Sequence, residues 1–357
     1  MFNIESVSEQ HSEKIQAIID SKTKPLGALG ELESLAMQLA KIQFSTADYS
    51  AANALAKSAV KLTLTAPHLT IFAGDHGVAR AGVSIASSDV TRQMVNNFAR
   101  GGGAINAISR QLGWRLSIVD AGILEPVVST QVKDQRLGKT THAINQHEAM
   151  SSTQVDLGFA FAKAHIDELH SKGCNLVAFG EMGIGNTTIA SAIMAAVMGV
   201  PAAETVGRGT GISAQALIKK QQVIEQALAL HQDKLTDPKS ILRCLGGFEV
   251  VQLTAAMLAA AEHKMLIVVD GFICSAAAML AIQTNANVKD YMVFAHCSGE
   301  QGHEKMLQWL DVKPLLNLGL RLGEGTGAAL ALPIIQAAVS FFNDMASFSD
   351  AEVTNVT

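Results

Sequence analysis

Six times along the 357-residue chain a short apolar run ends in glycine beside an acidic residue or histidine, and helical sequence follows. The runs span residues 69–77 (L-T-I-F-A-G-D-H-G), 116–122, 175–183 (N-L-V-A-F-G-E-M-G), 266–271, 291–299 and 316–325 (L-N-L-G-L-R-L-G-E-G). Continuous apolar runs bounded by turn residues fit strands buried on both faces, and the stretches between them leave room for crossover helices such as 187–198 and 272–282. This pattern predicts an α/β fold, a doubly wound parallel six-stranded sheet. In such sheets ligands bind outside the carboxyl ends of the strands. That is where Asp75, His76, Asp120, Glu181, Asp270, His296 and Glu324 fall.

The flanking segments read differently. Residues 1–60 are helical in pattern, broken at K-P-L-G (24–27) and resuming over 29–42. Together with a tail of residues 328–357 they are expected to form a small helical domain beside a parallel α/β domain over 61–327. Residues 124–154 are polar and aperiodic; a loop of that length in a compact domain is usually functional or mobile.

Charge and composition narrow the partners. The net charge is −5 and no basic run interleaved with aromatics occurs, which argues against nucleic acid. The longest apolar stretch, 328–342, contains Pro333, Gln336 and Ser340 and reads as a buried helix, so no membrane span is expected. Cys174, Cys244, Cys274 and Cys297 are scattered without a C-x-x-C pair, and the N-terminal segment lacks the pattern of an export leader. A cytoplasmic location is the expectation.

Three glycine-rich strings stand out: 180–188 (G-E-M-G-I-G-N-T-T), 207–211 (G-R-G-T-G) and 322–329 (L-G-E-G-T-G-A-A). Glycine lets backbone N–H groups approach a phosphate, and a helix N-terminus adds the positive end of its dipole. The same strings also suit tight strand-to-helix turns; Asn186 and Thr187 are residue types that cap such helices. Two nucleotide motifs are near misses. G-K-T at 138–140 has Lys133 where a P-loop needs its first glycine, and G-E-G-T-G-A at 323–328 fits a dinucleotide fingerprint but stands too near Thr357 for the further strands of that unit. The H-C-S-G-E-Q-G-H-E string at 296–304 lacks the i, i+4 pairing that aligns zinc ligands on a helix, so neither metal nor cofactor is expected.

Taken together, T-K-P-L-G-A-L-G-E-L-E, F-A-G-D-H-G-V, T-R-Q-M-V-N-N-F, G-G-G-A-I-N, G-E-M-G-I-G-N-T-T, G-R-G-T-G, G-G-F-E, D-G-F, H-x-S-x-E-x-G-H and L-R-L-G-E-G-T-G-A, in that order from about Thr23 to Leu332, resemble one family closely. It is the nicotinate-nucleotide:dimethylbenzimidazole phosphoribosyltransferase family of cobalamin nucleotide-loop assembly. The resemblance implies a homodimer that moves 5-phosphoribosyl from nicotinate mononucleotide to a benzimidazole nitrogen. It makes Glu324 the catalytic base and Glu181 a second acidic group. It sets Gly183, Gly185, Asn186, Thr187, Gly207, Arg208, Gly209, Thr210, Gly211, Lys220, Asp270, Ser298 and Arg321 around the nucleotide, and Ser84, Gln93 and Leu322 around the base. The chain departs from the family pattern at Ser87, where V-S-x-x-P has proline, and at 148–150, where P-A-M reads E-A-M. The first departure bears on the loop expected to select the base.

Overall fold

A computed structural model describes residues 2–45, 61–207 and 213–355. Among the described residues, α1 (Ser12–Asp20) and α2 (Glu31–Phe44) precede the first strand, β1 (His68–Gly74). Then come α3 (Asp89–Ala99), α4 (Ala104–Leu112), β2 (Arg115–Gly122), the short β3 (Val132–Asp134), α5 (Ser152–Ser171), β4 (Leu176–Met182) and α6 (Asn186–Met198). The remainder is α7 (Ala214–His231), α8 (Pro238–Leu245), α9 (Phe248–Glu262), β5 (Leu266–Val269), α10 (Phe272–Thr284), β6 (Met292–Phe294), α11 (Gln301–Trp309) and α12 (Thr326–Asp344).

All six strands run parallel in the order β3-β2-β1-β4-β5-β6. The apolar runs become strands because both faces are covered. Every residue of β1 after His68 is buried, as is all of β5. On one face α9 lies across β1, β2, β4 and β5 and packs on α5 and α10. Burying α9 and α10 takes helices without a polar stripe, and their Ala-rich sequences supply that. Elsewhere α12 packs on α2, α4, β4 and β5, and the Trp114 indole N–H donates to the Ala329 carbonyl at 3.1 Å, fixing the start of α12. By length and hydropathy alone α12 could cross a membrane, yet Ala328, Ala331, Leu332, Ile335, Ala338 and Phe342 are buried within the protein.

The sheet differs from expectation at one strand. Residues 316–325 are not a strand: only Leu316 bridges to His296, and Gly319, Gly323, Glu324 and Gly325 all take positive φ, which breaks the extended backbone. The sixth strand is β3 instead, within the stretch read as loop, where Val132, Lys133 and Asp134 pair with Ile118, Val119 and Asp120.

The chain grows outward from β1 through β2 to β3, then crosses back to β4 on the other side of β1. The direction of winding therefore reverses between β1 and β4, where Ala73 pairs with Met182. A crevice opens at such a reversal, outside the carboxyl ends.

Candidate active site

A cleft of about 290 Å³ occupies that crevice, bounded by the ends of β4 and β5, the starts of α6, α10 and α12, and residues 84–94. A larger hollow of about 1300 Å³ lies between α2 and the β6 edge, but its walls carry exposed pairs such as Lys313–Glu31 at 3.1 Å. Only the smaller space gathers buried carboxylates.

Four line it: Glu300, and, each nearly inaccessible to solvent, Glu181 at the end of β4, Asp270 after β5 and Glu324 before α12. Burial, reinforced by the charges of Asp270, Glu249 and Glu324, pushes the Glu181 pKa up to about 8; the backbone N–H of Glu324 works against this. The Asn186 amide donates to Glu181 Oε2. For Glu324 burial again dominates, and its pKa rises to about 7 although the Ile105 N–H, in the first turn of α4, donates to its carboxylate. Its Oε2 has no hydrogen-bond partner among the described residues. Glu324 sits at φ +64 between Gly323 (φ +82) and Gly325 (φ +86). Three successive left-handed residues are tolerable only where two are glycine, and the turn they make aims the carboxylate inward.

The turn after β1 is braced from beneath. His76 Nε2 lies 2.8 Å from Glu249 Oε1, both groups fully buried. Burial works to lower the His76 pKa, but the charges of Glu249 and Asp75 outweigh it and the net shift is upward. Asp75 accepts from the Thr91 hydroxyl at 2.7 Å and the Leu124 N–H at 2.8 Å, while Thr91 Oγ1 accepts from the Ile184 N–H at 3.2 Å. One hydroxyl thus ties α3 to the β1 turn and to the loop entering α6. Thr91→Val strands both partners, and an expected loss of about 1–3 kcal/mol should appear as a lower urea midpoint, with Thr91→Ser close to wild type. An unchanged midpoint in Thr91→Val would show that the link bears no load. Sequence alone offered no sign of this network, because its members lie far apart along the chain.

At the other end of the cleft the N-terminus of α6 faces a buried cation. Gly185 (φ +99) is the cap residue, so Asn186 and Thr187 do not cap the helix by their side chains as their types suggested. Asn186 turns to Glu181, and Thr187 Oγ1 accepts from Lys220 Nζ at 2.9 Å. Lys220 is only 1% exposed, also donates to the Gly207 carbonyl at 3.4 Å, and burial lowers its pKa to about 8 despite the pull of Glu300. Gly183, Ser298 and Arg321 line the same cleft. Arg208, Gly209, Thr210 and Gly211 fall outside the described residues. His303, in the 296–304 string, accepts the Ser298 N–H at Nδ1 and meets Ser275 Oγ at Nε2 (2.8 and 2.9 Å), so both ring nitrogens are engaged within the protein.

The third wall is apolar. Ser84, Ile85, Val90, Met94 and Leu322 line it, with Ile85 68% and Leu322 55% exposed at the mouth. Gln93 is exposed on α3 and is not among the lining residues, which on this helix are Val90 and Met94.

This geometry has relatives. A phosphoribosyltransferase family model matches residues 4–353. A nicotinate-nucleotide–dimethylbenzimidazole phosphoribosyltransferase of Shewanella sp. (strain ANA-3) is 59% identical over all of this chain and 98% of its own, and one of Shewanella oneidensis is 58% identical over 99% and 98%. Among solved structures, CobT from Thermus thermophilus superposes with a TM-score of 0.89 at 34% identity, covering 96% of this chain and 99% of that one. The chain belongs to the nicotinate-nucleotide–dimethylbenzimidazole phosphoribosyltransferase family.

Proposed function

We propose that the protein transfers 5-phosphoribosyl from nicotinate mononucleotide to 5,6-dimethylbenzimidazole or a related aromatic base, giving α-ribazole 5′-phosphate and nicotinate for the lower ligand of cobalamin. The observation that carries this reading is the convergence in one cleft of an acid with a near-neutral pKa, Glu324, an apolar wall, and the N-terminus of α6, whose Thr187 is backed by the buried Lys220.

The chemistry asks for each part. Nicotinate leaves a cationic pyridinium as a neutral ring, so its departure needs no proton; the ribosyl carbon becomes positive and is stabilised by nearby carboxylates. The incoming benzimidazole loses its N–H proton as the new bond forms, and Glu324 is the base that takes it, with Glu181 as the second acid. Attack opposite the departing nicotinate inverts the anomeric carbon. The backbone of Gly183, Gly185, Asn186 and Thr187 with Lys220, Arg321, Ser298 and residues 207–211 holds the nucleotide; Ser84, Leu322 and the α3 side chains hold the base. No metal or cofactor enters the scheme. A homodimer in the cytoplasm, with no nucleic-acid or membrane partner, completes the reading; the free thiols of Cys174, Cys244, Cys274 and Cys297 suit a reducing compartment.

The test is to incubate the protein with nicotinate mononucleotide and a benzimidazole. Nicotinate released only when the base is present, together with an α-configured product, is the expected result. Binding of the nucleotide with no release would leave a binding protein.

A second measurement addresses the phosphate. Lys220→Ala removes a charge-assisted hydrogen bond, worth about 1.5–3 kcal/mol, and is expected to raise KM for the nucleotide roughly ten- to hundredfold with little change for the base. In the wild type, nucleotide affinity should weaken as pH rises past about 8, because the ammonium that binds phosphate is then lost. An unchanged KM in Lys220→Ala would remove this lysine from the phosphate site.

A further inference from the structure

His296 belongs to none of the roles above, yet it lines the cleft and is almost completely buried. Its ring is held in a slot made by glycines: a Cβ at Gly327 would overlap the imidazole, and one at Gly271 would come within 3.1 Å of Nε2. Nε2 points at Asp270 Oδ1, 3.6 Å away, while Nδ1 has no partner among the described residues. Asp270 is itself fixed, accepting from the backbone N–H groups of Ala328 (2.8 Å), Gly271 and Gly325. Three separate segments, the starts of α10 and α12 and the end of β6, thus build one imidazole–carboxylate unit facing the cleft.

We propose that His296 is a positioning residue for the transfer, holding Asp270 as the anion that stabilises positive charge on the ribosyl carbon while nicotinate departs. The inference rests on the phosphoribosyl-transfer reading. Around Asp270 stand Glu181 on β4, Glu324 before α12 and the Cys274 thiol on α10, with His303 on α11 against the imidazole. None of these supplies a cation to Asp270. Burial raises its pKa on balance; the charge of His296 opposes this most, followed by the backbone N–H groups of Ala328, Gly271 and Gly325. Of the three acids, Asp270 is the one that has an imidazole against it and accepts from three backbone N–H groups, contacts that favour the carboxylate over the acid.

The test compares His296→Gln, Asp270→Asn and the double variant with the wild type, using nicotinate mononucleotide and saturating benzimidazole across pH. Each single change is expected to lower kcat roughly 10- to 100-fold, with KM for the nucleotide moving less than about threefold. In His296→Gln the acid limb of kcat, set in the wild type by Glu324, should move to higher pH, since Asp270 without the imidazole takes up a proton before Glu324 does. The double variant should be no worse than Asp270→Asn, as expected of two groups acting as a unit. Gly327→Ala, which displaces the ring without altering any charge, should show the same limb shift and carries the test if His296→Gln does not fold. Losses that multiply in the double variant, an unmoved acid limb, or an effect on KM alone would overturn the proposal. A wild type that releases no nicotinate with base present would instead sink the functional reading itself.

Discussion

Glu324→Gln is expected to lower kcat by about 10²–10⁴ while nucleotide binding stays close to wild type, because glutamine keeps the shape of the side chain and its contact with the Ile105 N–H but cannot take a proton. The magnitude follows from what a positioned base contributes. A carboxylate with the usual value near 4.3 would be a poor acceptor for the benzimidazole proton, whereas burial brings Glu324 to about 7. Wild-type kcat should accordingly fall as pH drops through about 7 and the base protonates. Glu181→Gln is expected to lose less, since at about 8 that group is mostly protonated at neutral pH and already serves as an acceptor for Asn186 and the Glu324 backbone. Collapse in Glu181→Gln with near-normal turnover in Glu324→Gln would exchange the two roles.

The place of Glu324 illustrates how sequence and structure divide the work. Alternating leucines in L-N-L-G-L-R-L resemble a strand, and Glu324 would then stand at its carboxyl end. Instead, the positive φ values at 319 and 323–325 fold the segment into a loop, and the acid arrives at the same edge of the sheet by a turn. The position survived although the element did not. Five of the six apolar runs became strands because strands buried on both faces must be apolar throughout, which is a strong signal. β3 carries no such signal: Val132, Lys133 and Asp134 are only partly buried or exposed, and their pairing with β2 is fixed by tertiary contacts.

Of the glycine-rich strings, 180–188 and 322–329 do reach the cleft wall, a placement the sequence signals because close backbone approach demands glycine. Lys220 came only through the family resemblance, since a lysine in the middle of α7 looks like any solvated helix face until its burial against Thr187 is seen. Thr91, Glu249 and His296 stand in motifs or at a strand end, but they act through partners distant in the chain, and no local pattern shows those partners. Gln93 is a motif position on α3 whose side chain is exposed, a placement that helical phase sets and the motif does not show.

The turn carrying Glu324 rests on β4, which makes Gly180 the second position where a small change should have a large effect. A Cβ there would overlap the carbonyl carbon and oxygen of Glu324 and come about 2.5 Å from the Gly325 nitrogen. These are backbone atoms at the entry to a long helix, so no rotamer change relieves the contact. Gly180→Ala must push the 323–325 turn away from the sheet. Overpacking of this kind costs about 1–3 kcal/mol, and displacing a reacting group by about 1 Å can lower a rate by roughly 10²-fold. The variant should therefore melt earlier and lose about 10² in kcat. Lys220, Thr187 and the start of α6 lie on the other side of the cleft, so KM for nicotinate mononucleotide should change little. Wild-type turnover in a folded Gly180→Ala protein would mean that the contact between β4 and the Glu324 turn does not position the base, and that the Ile105 N–H of α4 is sufficient to hold it.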